Sequence, residues 1–252
     1  MEAFTTEGIV LKQFDLGEAD KIITFFTRDQ GKLRAVARGV RKCKSPISGL
    51  VLPFSYNHLT IYRGRSLDRI NQIKNIYPFS PLREDLLKMA YASFMAELVE
   101  RVGMENDPNQ PLFSLLLSSF HQLLKLEQGI KFIDLIFKIK VLNIIGFKPQ
   151  LAQCVLCAEP VTTNYQNYFN IKQGGILCAN CLSSKSDCMQ ITGEATQILK
   201  RLFNSGLDSF KNLRISAAGE NQLNHLIDNF ILYHLDLKLK SLEFLNMIKK
   251  MG

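Results

Sequence analysis

The spacing of apolar residues changes abruptly at Tyr77-Pro78-Phe79-Ser80-Pro81, and this change limits the folds open to the chain. Before it, short runs rich in Val, Ile, Thr, Phe and Tyr are separated by Gly, Asn and Asp, which is typical of strands and turns. After it, apolar residues recur every three or four positions, which is the period of a helix. Ser80 and Pro81 suit an N-cap and a first helical residue. The sequence therefore predicts an α+β protein whose strands precede its helices.

Five strands are predicted near the N-terminus, at about 6–13, 21–28, 32–40, 49–63 and 68–77. Along the third, Lys32 and Arg34 alternate with Leu33 and Ala35, so basic and small apolar side chains take opposite faces. Five short strands with one face of small residues favour a closed barrel of the OB type. An SH3-like barrel has a similar strand content, and periodicity does not separate the two.

Helical spacing covers about 81–102, 111–126 and 129–146, and it returns at about 193–206, 217–235 and 238–249. Each of these segments has an apolar stripe that a lone helix cannot bury, so we expect the later helices to pack on the earlier ones. Residues 150–190 lack the helical period. The predicted organisation is an OB-like barrel at 1–79, a helical domain formed by 80–149 and 191–252, and a four-cysteine module inserted at 150–190.

Four of the six cysteines form two Cys-x-x-Cys pairs, Cys154 with Cys157 and Cys178 with Cys181. Two such turns can complete a tetrahedral cage of four thiolates around Zn²⁺. Four thiolates leave no open coordination position, and no His lies between 122 and 224, so the sequence predicts one structural zinc ion. The alternatives are four free cysteines or two disulfides, and the reducing compartment expected here disfavours disulfides.

Positive charge is concentrated near the N-terminus. The chain has a formal net charge of +8, and its first 80 residues hold 13 Lys/Arg against seven Asp/Glu. Such an excess indicates a polyanionic partner, which can be DNA, RNA or anionic lipid. We expect phosphate-binding residues in the third strand, in the loop after it and around the turn near Gly64. They are Lys32, Arg34, Arg38, Arg41, Lys42, Lys44, Arg63 and Arg65.

Aromatic side chains near these cations could stack on bases, and Phe25, Tyr56 and Tyr62 are the candidates. The barrel core is the alternative place for all three. No phosphate-binding loop, nucleophile elbow or helix-turn-helix signature occurs, so we expect sequence-tolerant binding of a nucleic-acid backbone and no catalysis. No run approaches the ~20 apolar residues that span a bilayer, and the N-terminus has no basic and apolar leader, so a cytoplasmic location is expected.

Four stretches of the sequence resemble the RecO family of recombination mediators. They are 8–12 with 17–24, then 31–42 with Ser45, and Gly146-Phe147-x-Pro149-x-Leu151 leading into Cys154. The order of barrel, helices, four-cysteine insert and further helices also matches that family. The resemblance implies a non-catalytic protein of the cytoplasm and nucleoid, which binds single- and double-stranded DNA and anneals complementary strands.

The resemblance also implies partners and binding residues. RecO proteins act with RecR to help load RecA recombinase onto single strands coated by SSB protein, and they contact the acidic, apolar-ended tail of SSB. Carried over by position, the cations of the third strand and its following loop would contact DNA, and the four paired cysteines would hold zinc. Lys131, Lys138 and Lys140 are candidates for contacting the SSB tail. The alternatives are a zinc-stabilised scaffold for protein interactions and a zinc-dependent enzyme acting on nucleic acid.

Overall fold

Two compact units make up the chain in a computed structural model that describes residues 2–126, 129–161, 167–182, 188–204 and 215–251. The first unit comprises Met1–Glu127 with Leu239–Gly252, and the second comprises Gln128–Lys238. The division into barrel, helical domain and inserted module stays a prediction. No helix in the described part of the chain is long and apolar enough to cross a bilayer.

Five strands of the first unit close into a barrel in the order β1-β2-β3-β5-β4. Neighbouring strands are antiparallel, except that β3 and β5 pair in parallel. The closed five-stranded barrel confirms the predicted OB-like architecture. Strands β1 to β5 span Ala3–Leu16, Asp20–Thr27, Gly31–Ala37, Tyr56–Tyr62 and Asp68–Tyr77.

Alternating side chains of the strands fill the barrel. Leu33, Ala35 and Ala37 of β3 point into its core, together with Ile23 and Phe25 of β2. The outer face of β3 carries the alternate residues, as predicted. Because Phe25 is 0 % exposed, the suggestion that it stacks on bases is wrong.

Tyr56 is also buried, so it too is unsuited to stacking on bases. Its ring packs against Phe113, and its hydroxyl donates a short hydrogen bond to the Glu7 carboxylate. Burial and the Glu7 carboxylate raise the pKa of Tyr56 to about 12.

Strand β4 begins at Tyr56, later than predicted, because the segment before it folds into turns. Backbone hydrogen bonds join Lys42 to Gly39, Ser45 to Lys42 and Leu50 to Ile47. The segment is nevertheless apolar in places, since the side chains of Val51 and Phe54 are buried and Val51 belongs to the barrel core. In a sequence, apolar loop residues that fill the end of a barrel look like strand residues, and the predicted strand is therefore too long.

The predicted helices form, with one break in the first. Asp85 has an extended backbone, and its side chain accepts a hydrogen bond from the Lys88 N–H, so it caps a second helix instead of continuing the first. Ser80 makes no capping hydrogen bond. In the described residues, α1 to α7 span Pro81–Glu84, Leu86–Val102, Gln110–Lys125, Ile130–Ile144, Gly193–Asn204, Ala217–His234 and Lys240–Met251.

Each unit buries the apolar stripes of its own helices. In the first unit, α2 packs against β1, α3 and α7. In the second unit, α4 packs against α5 and α6. The second unit also has a three-stranded sheet in the order β7-β6-β8 and a 3₁₀ helix at Ala179–Cys181. Strands β6, β7 and β8 span Asn167–Asn170, Gly175–Leu177 and Cys188–Ile191.

A buried lysine joins two helices of the second unit. The ammonium of Lys138 on α4 lies 2.9 Å from Asp134 Oδ2 and 2.8 Å from Asp228 Oδ1 on α6, and it donates a 2.7 Å hydrogen bond to Asn224 Oδ1. Burial opposes the charged form, but the charges of the two aspartates outweigh it and raise the pKa of Lys138. Lys140 is also buried and donates to the Leu202 carbonyl. The suggestion that these two lysines meet an acidic tail is therefore wrong.

Replacing Lys138 with Met should destabilise the second unit by about 3–5 kcal/mol, because two carboxylates lose the cation between them. The free energy of unfolding in urea measures the effect. Lys131→Met, on the exposed side of the same helix, is the control and should cost little. Equal stability of the two variants would contradict a stabilising role for the buried ammonium.

Candidate nucleic-acid interface and metal centre

Two of the predicted DNA-binding cations have partners near the end of α2: Lys32 contacts the helix itself, and Arg34 contacts the segment that follows it. Lys32 Nζ donates a 2.9 Å hydrogen bond to the Glu100 carbonyl in the last turns of the helix, where a cation stabilises the negative end of the helix dipole. Arg34 Nη2 lies 3.1 Å from Glu105 Oε1 in an exposed ion pair. The neighbouring outer face of β2 is covered, since Phe26 is buried and packs near Phe113 of α3. Helices thus occupy this part of the barrel surface.

Arg41 fastens the β1–β2 hairpin to the loop that follows β3. Its Nη1 donates a 2.6 Å hydrogen bond to the Gly17 carbonyl, and its backbone N–H donates to the Ala19 carbonyl at 2.9 Å. Its Nη2 also lies 3.4 Å from Asp15 Oδ2. Arg41 therefore holds two loops together as well as adding positive charge.

Arg63 lies at the opposite end of β3 from this loop. Its guanidinium pairs with Asp68 Oδ2 at 3.1 Å, donates to Gln30 Oε1 at 2.6 Å and lies 4.3 Å from the centroid of the Phe4 ring. Because β3 and β5 run in parallel, the turn before β5 falls beside the start of β3. The predicted cations are consequently spread over both ends of a strand about 20 Å long.

The remaining predicted cations are exposed, and their side chains have no hydrogen bond or ion pair to any described residue. Arg38, Lys42 and Lys44 lie directly after β3, whereas Arg65 lies in the turn before β5. Arg69 of β5, outside the predicted set, is also exposed and pairs in register with Val36 of β3. We call Arg38, Lys42, Lys44 and Arg69 the cationic rim. The sequence alone does not predict that Arg69 belongs to the rim, because only the pairing of β3 with β5 brings Arg69 beside β3.

The four paired cysteines converge in the second unit. Their Sγ atoms all lie within 4.8 Å of one another, and Cys157 Sγ is 3.7 Å from Cys178 Sγ. A tetrahedral ZnS₄ centre with bonds of about 2.3 Å has sulfur–sulfur edges of about 3.8 Å, so the thiols fit a metal of that size. Cys154 is buried and Cys157 is exposed, and the other two are half-buried.

Backbone hydrogen bonds hold the first cysteine pair in place. The Cys154 carbonyl accepts a 3.0 Å hydrogen bond from the Ala158 N–H, and the Val155 N–H donates to the Ile176 carbonyl of β7 at 2.9 Å. Burial opposes ionisation of Cys154, but hydrogen bonds from backbone N–H groups outweigh it and lower the pKa of the thiol to about 6. A bound metal would cross-link this turn to the 3₁₀ helix that carries Cys181.

The fold and the sites together define a class of protein. One unit has an OB-type barrel with a rim of cations that no side chain in the described ranges neutralises, and the other unit has a four-thiol centre. Within the described residues, these four cysteines are the single group of His, Cys, Asp and Glu side chains placed to hold a metal ion.

Comparison with known proteins identifies the family. The family model for the N-terminal part of recombination protein O matches residues 1–79, and the model for its C-terminal part matches residues 83–243. The chain therefore belongs to the RecO family of DNA repair and recombination proteins.

Relatives with the name DNA repair protein RecO cover nearly the whole chain. The protein of Desulforamulus reducens is 33 % identical over 99 % of this chain and 96 % of its own length. That of Alkaliphilus metalliredigens is 33 % identical over 96 % of this chain and 98 % of its own length. That of Pelotomaculum thermopropionicum is 34 % identical over 98 % of this chain and 94 % of its own length.

The metal centre can be tested by replacing single thiols. Wild-type protein should carry one metal ion per chain, and Cys178→Ser should lose it, because three thiolates and a hydroxyl bind such an ion far less tightly. Cys188→Ser is the matched control, since Cys188 lies in β8 outside the group of four. Elemental analysis gives the metal content, and thermal unfolding gives the stability. Full metal content in Cys178→Ser would contradict the assignment.

Proposed function

We propose that this chain is a recombination mediator in DNA repair. It binds single- and double-stranded DNA, anneals complementary strands and, together with RecR, helps to load RecA onto single strands coated by SSB. Membership of the RecO family supports the repair role, and the cationic rim supports the binding of DNA. SSB would be recognised through its acidic tail, although Lys138 and Lys140 do not contribute.

The observation that carries the DNA-binding proposal is the cationic rim itself. Arg38, Lys42, Lys44 and Arg69 expose charges that no carboxylate of the described residues neutralises. Each phosphate that such a side chain binds releases a condensed counterion, which favours binding at low salt. Arg34 and Arg41 add positive charge beside the rim, but each is paired with a carboxylate and must break that ion pair before it can bind a phosphate. Lys32 and Arg63 contribute to folding more than to binding.

Annealing follows from charge neutralisation at the same surface. Two complementary strands repel each other through their phosphates, and a rim that binds one backbone lowers the repulsion felt by the second. The chain's part in this step is to bind and to screen, and no bond has to form or break. We therefore propose that the protein is not an enzyme.

We propose Zn²⁺ as the metal, in a structural role. Four thiolates fill a tetrahedral shell and leave no position for water or substrate, unlike catalytic zinc. The ion would supply a cross-link, and the cysteines that hold it belong to the second unit, whereas the rim belongs to the first.

A salt titration of DNA binding tests the proposal. Replacing Arg38, Lys42 and Lys44 together with Gln should lower the affinity for single-stranded DNA. It should also reduce the slope of log K against log salt by about 2, because each phosphate contact contributes about 0.7. Annealing of complementary oligonucleotides should slow in parallel.

The control removes the same charge elsewhere. Lys131→Gln, Arg201→Gln and Lys238→Gln together replace three exposed cations of the second unit and should leave the slope unchanged. Equal slopes for wild type and the rim variant would remove the basis of the proposal. Wild-type protein that binds no DNA at low salt would favour the alternative of a scaffold for protein interactions.

A further inference from the structure

An apolar row crosses the outer face of the barrel beside the cationic rim. Phe14 of β1 pairs in register with Ile22 of β2, Ile22 pairs with Val36 of β3, and Val36 pairs with Arg69 of β5. Residues paired across neighbouring strands point to the same face of a sheet. Because Ile23 and Ala35, next to them in the chain, point into the core, this row faces outward.

Phe14 is the member of the row with the largest exposed surface. It is 54 % exposed, although a phenyl ring gains free energy from burial. Lys12 Nζ lies 5.2 Å from the centroid of its ring and also pairs with Glu100 Oε1 at 2.9 Å, so a cation fixed by α2 stands over the ring. Of the three stacking candidates, Phe25 and Tyr56 are buried and Tyr62, which pairs in register with Arg69, is half-buried. The ring of Phe14 is therefore more exposed than any of the three.

The positive charges around the row indicate which kind of ligand it can bind. Arg38 and Arg69 of the rim stand beside Val36, one following β3 and the other opposite it on β5. Arg34 lies two residues from Val36 on the same outer face. An apolar strip bordered by cations suits single-stranded nucleic acid, because its phosphates can bind the cations and the flat faces of its unpaired bases can stack on the strip. In a duplex the base faces are stacked on one another and cannot reach the strip.

We propose that the exposed Phe14 ring stacks on a base of single-stranded DNA, with the half-buried Ile22 contacting the bases beside it. Val36, which is only 9 % exposed, continues the row beneath this contact. This inference rests on the proposed DNA binding and adds a contact to bases that phosphate binding does not provide. The rim then holds the backbone of either form of DNA, and the row favours unpaired strands.

The first experiment separates bases from phosphates. Wild type and Phe14→Ala are titrated with an oligo-dT strand, with an abasic strand of equal length and with a duplex. Losing one stacked base should weaken oligo-dT binding by about 5- to 150-fold. Binding to the abasic strand and the duplex should change little, and so should the salt slope on oligo-dT. Ile76→Ala, another exposed apolar residue of the barrel, is the control and should match wild type.

The second experiment reports the contact directly. The sequence contains no tryptophan, so Phe14→Trp introduces a single tryptophan at the proposed stacking position, and its emission can be excited apart from that of the seven tyrosines. Oligo-dT should quench its emission, and the abasic strand should quench it far less. Ile76→Trp places the same fluorophore outside the row and should respond little to either strand.

The outcomes distinguish this inference from the proposed function. Wild type that binds oligo-dT no more tightly than the abasic strand would overturn the stacking contact and leave phosphate binding intact. The same conclusion follows if Phe14→Ala weakens both strands equally, or if Phe14→Trp is not quenched. Thermal unfolding of Phe14→Ala should match that of wild type, because the ring is exposed. Wild type that binds no DNA would instead overturn both proposals.

Discussion

Helix α2 packs against the outside of the barrel, and this packing decides which of the barrel's cations can meet a ligand. The helix end accepts the Lys32 ammonium, and the segment after it supplies Glu105 to Arg34. The positive charges in and after β3 look equivalent in the sequence, but the structure divides them into two groups. The cations near the helix pair with it and with Glu105, whereas Arg38, Lys42 and Lys44 beyond Ala37 have no side-chain partner among the described residues. The basic residues of β3 are thus tied to neighbouring elements, and the proposed DNA contacts fall mainly in the loop that follows the strand.

The sequence predicts the architecture well, because the architecture depends on local periodicity. The change from period two to the helical period locates the barrel and the helices. The cysteine pairs predict a converging site, since each turn of four residues brings two thiols together. The first helix is broken at Asp85 because a carboxylate can cap a new helix there, and apolar spacing carries no sign of that.

Partners distant in the sequence set the limit of what could be predicted. Lys138 looks like a surface cation in the helical pattern, yet Asp228 lies ninety residues away in the chain and its carboxylate holds that ammonium in the interior. Phe25 and Phe14 are both aromatic residues of the barrel strands, and only the registers of four strands show that one is inside and the other outside. The same applies to Arg69, whose place beside β3 depends on a parallel pairing of two residues.

The buried ammonium between α4 and α6 has a consequence for how the second unit can rearrange. A slide of α6 by one turn would carry Asp228 about 5.4 Å along the axis, out of reach of Lys138. Apolar side chains tolerate such a slide, since one methyl group can replace another. A cation that needs two specific carboxylates does not, so the helix pair has a single favoured register. Motions that reach this pair must tilt the helices as rigid rods or separate them altogether.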